Sequence, residues 1–293
     1  MPDVLTAIAD IIQGELFDLP QVIVEKGNRQ TSKGELFEIY CKDRLVGLKR
    51  GAKQTERARD HDHYLVYRGS QGNPPDAMYP GGNSGDAFEF KQTQQGHTAA
   101  VQLNSSSPKA QLRHSSHMLT QECRDCEPWT ERDLIYVFGG IPAKKKELKW
   151  IWFVDASLMA AHSQHYDDVY HSVRSKLSEV PKLNTSDTTE LGRINQLDPL
   201  GATSLRIRPM WFMDGPGKFF ESIPGVSKVS RGRVLYGIMR KAKWESFDES
   251  SRKRVLGFNG TSGFSFSEVK VSDPGRAGES IDAIFVRFEL ASR

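Results

Sequence analysis

Residues 73–91, NPPDAMYPGGNSGDAFEFK, restrict the fold of this chain more than any other stretch. The segment DAFEFK alternates polar and apolar residues, the period of a strand with one face on a core. Phe88 and Phe90 then point one way and Glu89 and Lys91 the other. PGGNSG is turn chemistry, and Pro74 and Pro75 favour extended backbone leading into Asp76. A hairpin-like return would therefore set Asp76 beside Glu89, so that two carboxylates and an ammonium converge. Such a trio suits Mg²⁺, which takes hard oxygen ligands and is held by one or two carboxylates together with substrate phosphate. A lysine beside them can orient a water and offset charge on a phosphate under attack. The plainer alternative is an exposed Glu–Lys pair on an antiparallel strand.

The order Pro75–Asp76, a glycine-rich connection, then Glu89-x-Lys91 with twelve residues between the acids resembles the signature of the PD-(D/E)xK nuclease superfamily. That resemblance implies an α/β fold: a restriction-endonuclease-like core with a central mixed β-sheet flanked by helices. It makes Asp76 and Glu89 the metal ligands and Lys91 the residue that positions the attacking water. Many members carry a further acid on a nearby helix. KGELFEIYCKDRLVGL (33–48) has helical spacing, with Leu36, Phe37, Tyr40 and Leu45 available for an apolar face. The spacing from Gly34 to Glu38 resembles that helix, which makes Glu38 a candidate additional catalytic acid. Glu35 competes for the role, and a surface helix with a Glu38–Lys42 pair is the ordinary alternative.

Strand-like runs are expected at 63–67, 86–91, 98–103, 133–138 and 149–154, and helices at 3–13, 155–163, 166–179 and 215–222; 204–211 alternates like a strand until Pro209. After residue 225 VLYGIM, GFSFSEVKV and IDAIFVRFEL predict a β-rich C-terminal extension. The expected division is an endonuclease domain over 1–225 and this extension over 226–293, either separate or part of the same domain. With 293 residues, 38% of them hydrophobic, the chain can bury a core of that size. The net charge is only +3, so any role on nucleic acid must rest on local clusters such as LKRGAKQTERAR (48–59), PAKKKELK (142–149) and KVSRGR (228–233). Each could equally be a solvated loop. No run approaches the roughly 20 apolar residues of a membrane span. The N-terminus is acidic and amphipathic rather than secretory, and three cysteines give no disulfide framework, so a cytoplasmic protein is expected.

Three longer strings, VQLNSSSPKAQL (101–112), CRDCEPWTERDLIY (123–136) and LGRINQLDPLGATSLRIRPMW (191–211), resemble in the same order the NgoPII family of type II restriction endonucleases. This implies a Mg²⁺-dependent enzyme that cuts duplex DNA at a short G/C-containing palindrome, GGCC or split GG/CC half-sites, and leaves a 5′-phosphate and a 3′-hydroxyl. Residues in these strings suit DNA by their own chemistry. Asn104, Ser105 and Ser106 are short hydrogen-bonding side chains in a turn just past a strand, followed by Lys109 and Arg113, a composition that grips phosphates. Arg193 and Asn195 precede DPLG, and Arg206 and Arg208 project from one face of a short strand. Arginine forks match guanine in the major groove and asparagine matches adenine, although arginines serve as readily in salt bridges. His114, His117, Cys123 and Cys126 could supply a tetrahedral zinc site, or the two cysteines could pack.

The reading that joins these features is a homodimeric, Mg²⁺-dependent type II restriction endonuclease acting on double-stranded DNA, with a cognate DNA methyltransferase protecting the host genome. A structure-selective repair nuclease on the same core and a noncatalytic DNA-binding module are its rivals.

Overall fold

The computed structural model describes residues 2–20, 29–70, 72–104, 107–181, 183–184, 190–226 and 232–291, with the backbone alone for 29–32 and Asn104. Three helices come first, α1 (Val4–Gly14), α2 (Arg29–Leu45) and α3 (Gln54–Tyr64). The middle of the chain supplies β1 (Ala77–Met78), β2 (Ala87–Thr93), β3 (Val101–Asn104), β4 (Gln111–Arg113), α4 (Gln121–Asp125), β5 (Glu131–Gly140) and β6 (Trp150–Asp155). Then follow α5 (Gln164–Leu177), β7 (Gly192–Ile194), β8 (Leu205–Ile207), β9 (Met210–Met213) and α6 (Pro216–Phe219). The last part holds β10 (Arg233–Arg240), α7 (Lys241–Ser246), α8 (Glu249–Leu256), β11 (Phe264–Ser272) and β12 (Ser280–Leu290).

One mixed sheet in the order β1-β2-β5-β6-β10-β12-β11, with β4 paired to β5, forms the frame. The β2–β5 and β6–β10 pairs are parallel and the others antiparallel. Period-two patterning sorts its residues onto two cores. Phe88, Phe90, Val137, Ile151, Phe153 and Leu235 face α1, α2 and α8, while Tyr136, Phe138, Trp152, Val154, Tyr236 and Phe285 fill the opposite side. Every residue of β6 is buried because both faces of that strand are covered. On the first side α2 comes in close: a Cβ at Gly139 would meet the Phe37 ring at 2.2 Å, so only glycine lets this helix lie against β5. This is the mixed α/β architecture of a restriction-endonuclease-like fold, a central sheet flanked by helices.

Several elements depart from their sequence-based expectations. His63 and Tyr64 end α3 instead of starting a strand, because the polar run QTERARDHDHY propagates a helix from Lys53, and Tyr67 makes only an isolated bridge to Met78. The helix expected over 155–163 is a single 3₁₀ turn at Ala156–Leu158 capped by Asp155. Pro209 splits 204–211, leaving β8 to pair with β7 and β9 with β3. The segment after residue 225 is β-rich as expected, although it also contributes α7 and α8, and its strands continue the sheet of the β1–β2 hairpin, with β10 beside β6.

A buried ion network ties that C-terminal segment to the rest. Lys243 on α7 donates to Asp86, just before β2, and to Asp133 on β5 at 3.0 Å. Arg240 bridges Asp133 and the buried Asp155, each at 2.6 Å. Burial pushes the Asp86 carboxyl up to about 6 in spite of the Lys243 ammonium beside it. Removing one partner of a buried pair strands the other's charge, at a cost of about 3–5 kcal/mol. Lys243→Ala should therefore lower stability by about 3 kcal/mol near pH 8 and by less near pH 5, where Asp86 takes up a proton and loses its charge. Denaturant unfolding at both pH values checks this; an equal loss at both would show that Asp86 does not carry the effect.

Candidate active site

The glycine-rich connection folds back as a hairpin, and it does so because neighbouring residues hold it. Ala77 and Met78 pair with Phe88 and Ala87, the Asp76 amide donates to Phe88 O at 2.8 Å, and the Phe90 amide donates to Asp76 Oδ2 at 2.6 Å. In the turn, Gly81 and Gly82 take φ of 129° and 57°, values that favour glycine, and their amides donate to the Glu127 carboxylate. Arg132, fully buried on β5, donates to Tyr79 O at 2.6 Å and Gly85 O at 3.2 Å and pairs with Glu127. Asn83 Oδ1 accepts from the Thr130 amide at 2.7 Å. The string EPWTER is thus a brace for the turn, a role that only the three-dimensional contact reveals.

With the hairpin closed, Asp76, Glu89 and Lys91 line one cavity of about 560 Å³. Lys91 Nζ donates to Glu89 Oε1 at 2.6 Å, while Glu89 Oε2 is buried without any hydrogen-bond partner. Burial and the Glu89 carboxylate together push the Asp76 carboxyl up to about 8. Burial alone would lower the Lys91 ammonium, but Glu89 and Asp76 outweigh it and hold its pKa above the ordinary lysine value. Lys91 bonds a single Glu89 oxygen and leaves the other without a partner. An orphaned buried oxygen and a carboxyl that resists ionisation are what a divalent cation with hard oxygen preferences would satisfy, so this donor set fits one.

The remaining candidates divide by position. Lys109 and Arg208 line the same cavity. The Lys109 amide donates to Tyr136 Oη at 3.0 Å, and burial lowers its ammonium to about 8 although Glu89 opposes the shift. Glu38 approaches from α2, which covers the opposite face of β2; its carboxylate takes a bond from Lys42 and its charge raises Asp76 further, but it does not line the cavity. Glu35 is exposed. Arg206 and Arg208 converge on Glu190, whose side chain is only 3% exposed and which accepts from both guanidinium groups. Glu190 was not among the sequence-derived candidates; the short β8 register that brings both arginines over it has no local signature. Arg113 is engaged by His162 at 2.7 Å and Glu131, and Arg193 and Asn195 are exposed on and just after β7, none of them lining the cavity. Asp198 of DPLG holds the β7–β8 loop by accepting from the Leu200, Ala202 and Thr203 amides. The Asn104 side chain, Ser105 and Ser106 lie outside the described residues.

The histidines and cysteines between 114 and 126 have other partners. Cys123 is buried against Met78, burial pushes its thiol up to about 12, and the Cys126 thiol donates to Cys123 O at 3.2 Å. His114 packs edge-on against Trp129, and His117 tilts against Tyr170. Among the described residues no group of three or more His, Cys, Asp or Glu side chains is placed to hold a metal ion.

The raised Asp76 carboxyl makes stability depend on pH. Its folded value of about 8 lies above the ordinary 3.8, so the folded state keeps a proton that the unfolded chain loses. That contribution is fully present below pH 3.8 and disappears as pH rises towards 8. Without divalent ions, Asp76→Asn should therefore be more stable than the unsubstituted protein near pH 8, by a few kcal/mol in order of magnitude, with a smaller difference near pH 5. Thermal melts of both proteins across this range test it; equal melting temperatures at pH 8 would mean that Asp76 ionises without strain.

Comparison with known proteins gives the family. The family model described as NgoPII restriction endonuclease matches residues 2–272. The type II restriction enzyme NgoPII of Neisseria gonorrhoeae is 30% identical over 266 residues, covering 91% of this chain and 92% of that enzyme. No solved structure matches. Among the described residues no helix is long and apolar enough to cross a membrane. A braced hairpin that gathers two acids and a lysine, and a sequence match over nearly the whole chain, have one conclusion: this chain belongs to the NgoPII family of type II restriction endonucleases, site-specific DNA-cleaving hydrolases.

Proposed function

We propose that the Asp76–Glu89–Lys91 cluster hydrolyses the phosphodiester backbone of duplex DNA with Mg²⁺ held by Asp76 and Glu89. The observation that carries this reading is the buried Glu89 Oε2 without a partner, next to the Asp76 carboxyl in the same cavity, whose pKa burial and Glu89 raise. Bound magnesium would supply positive charge to the scissile phosphate and acidify water near it. The chain's own groups do the rest. Lys91, fixed by its bond to Glu89 Oε1, holds the attacking water and offsets charge that grows on the phosphate. Lys109 and Arg208, on the same cavity wall, seat the phosphate oxygens. Glu38 tunes Asp76 from α2, on the opposite face of β2, as the additional acid. Cleavage leaves a 5′-phosphate and a 3′-hydroxyl.

Recognition rests on the segment from 191 to 213. Arg193, Asn195, Arg206 and Arg208 present forks and an amide suited to base edges, and Asn104, Ser105, Ser106 and Arg113 add backbone contacts. The site read is a short G/C-containing palindrome, GGCC or split GG/CC half-sites. The described residues hold one Asp76–Glu89–Lys91 cluster, so two copies related by a twofold axis would place one cluster on each strand. A cognate methyltransferase would protect the same palindromes in the host genome, and the reaction would take place in the cytoplasm.

Plasmid cleavage tests the whole reading. With Mg²⁺ the unsubstituted protein should give discrete bands, and sequenced ends fix the site and stagger. Asp76→Ala and Lys91→Ala should abolish cutting while still shifting the mapped duplex on a gel with Ca²⁺, since the lost groups act on metal and water rather than on bases. Mixing in excess Asp76→Ala subunits should yield nicked circles from heterodimers. Wild-type cutting by both variants would remove the cluster from the mechanism, and linear product from the mixed dimers would remove the twofold arrangement.

A further inference from the structure

Exposed side chains flank the Pro209 break, Arg206 and Arg208 before it and Met210 and Phe212 after it. Arg206, Arg208, Met210 and Phe212 are open to solvent, whereas Ile207, Pro209, Trp211 and Met213 are partly or wholly covered. The inward residues have partners: Trp211 meets Tyr166 edge-on at 5.8 Å and Met213 joins the core. The outward pair does not. Met210 is 58% exposed and Phe212 65%. A single exposed apolar side chain is ordinary, but two large ones at alternate positions of one strand, after two arginines in a row broken at Pro209, form a face with a direction.

That face leads to the catalytic cavity. Arg208 lines the cavity, and so does Gln102, the β3 residue directly opposite Phe212 in the β3–β9 ribbon. Directly opposed residues of a ribbon share a face, so a polymer whose phosphate enters the cavity beside Gln102 and Arg208 has Phe212 next to it. Duplex DNA matches the row at both ends, with phosphates and base edges for the guanidinium groups and an apolar base stack for the thioether and the ring. A twofold contact centred on the row would lay Arg206 and Arg208 of each copy on Phe212 and Met210 of the other, so a second copy of this chain is the alternative occupant that the test separates.

We propose that Phe212, with Met210 beside it, is a wedge that inserts between neighbouring base pairs next to the scissile phosphate. This rests on the DNA-cleavage reading of the cavity. Insertion unstacks one step and bends the duplex, which lets the arginines held by Glu190 reach further along the groove. Because the cost of opening a step depends on which base pairs form it, the wedge adds sequence preference without a hydrogen bond of its own.

The test uses the full-length protein with Ca²⁺ and a short duplex carrying the mapped cleavage site, in which 2-aminopurine replaces one base at a time. The unsubstituted protein should raise the fluorescence at one step by unstacking it. Phe212→Ala should abolish that rise and weaken binding about tenfold or more, the loss expected when an aromatic contact to a base is removed. Phe212→Trp should keep both, and Met210→Ala should weaken binding less. Melting curves confirm that each variant folds, and Phe212→Gln serves if the alanine variant does not. An unchanged fluorescence profile and unchanged affinity in the alanine or glutamine variant overturn the wedge, as does conversion of the DNA-free protein from dimer to monomer by light scattering, which would make the face a subunit interface. A protein that cuts no DNA removes the cleavage reading and the wedge together; one that cuts normally with Phe212 replaced removes the wedge alone.

Discussion

Two carboxylates under cover, with one ammonium bonded to a single oxygen of one of them, are the constraint on which this structure turns. Asp76 and Glu89 repel each other where little water screens them, and Lys91 satisfies only one Glu89 oxygen. Left to itself such a cluster would pull apart. It persists because the hairpin cannot open: Arg132 and Glu127 clamp the turn on one side, and Lys243 fastens Asp86 at the base of β2 on the other. Stability is spent on holding a charge arrangement that the proposed cation would complete, the local conflict expected at a functional site.

The brace also gives the C-terminal strands a consequence for the site. β10 lies beside β6, and α7 sends Lys243 across to Asp86 and Asp133, so the geometry of the hairpin depends on residues more than 150 positions later in the chain. Arg240 extends the same network to Asp155 at the end of β6. Chemistry read from a short motif is therefore held in place by contacts of high sequence separation.

Sequence period and turn chemistry carried the hairpin and its trio, because a strand with one buried face must alternate and a tight return needs glycines. DAFEFK and PGGNSG satisfy both. The same patterning located β5, β6 and the three C-terminal strands, whose apolar runs are long. It misread HYLVY, where the polar helix α3 continues into His63 and Tyr64, since a helix without an apolar stripe has no period to detect. The roles of Glu127, Arg132, Lys243 and Glu190 were not legible at all, because each acts on a partner that is near only after folding. The family was legible from long strings in order. The role of each arginine was not: Arg208 reaches the cavity, Arg206 leans on Glu190 with it, and Arg113 is drawn to Glu131 and His162.

The most direct test of the central claim is the position of a divalent ion in crystals of the unsubstituted protein grown with Mn²⁺ in place of Mg²⁺. The account predicts an anomalous peak bonded to Asp76 and to Glu89 Oε2 at about 2.1 Å, the distance typical of a small octahedral dication, with the Lys91–Glu89 Oε1 bond intact. A peak bound elsewhere, with Glu89 Oε2 still without a partner, would contradict it.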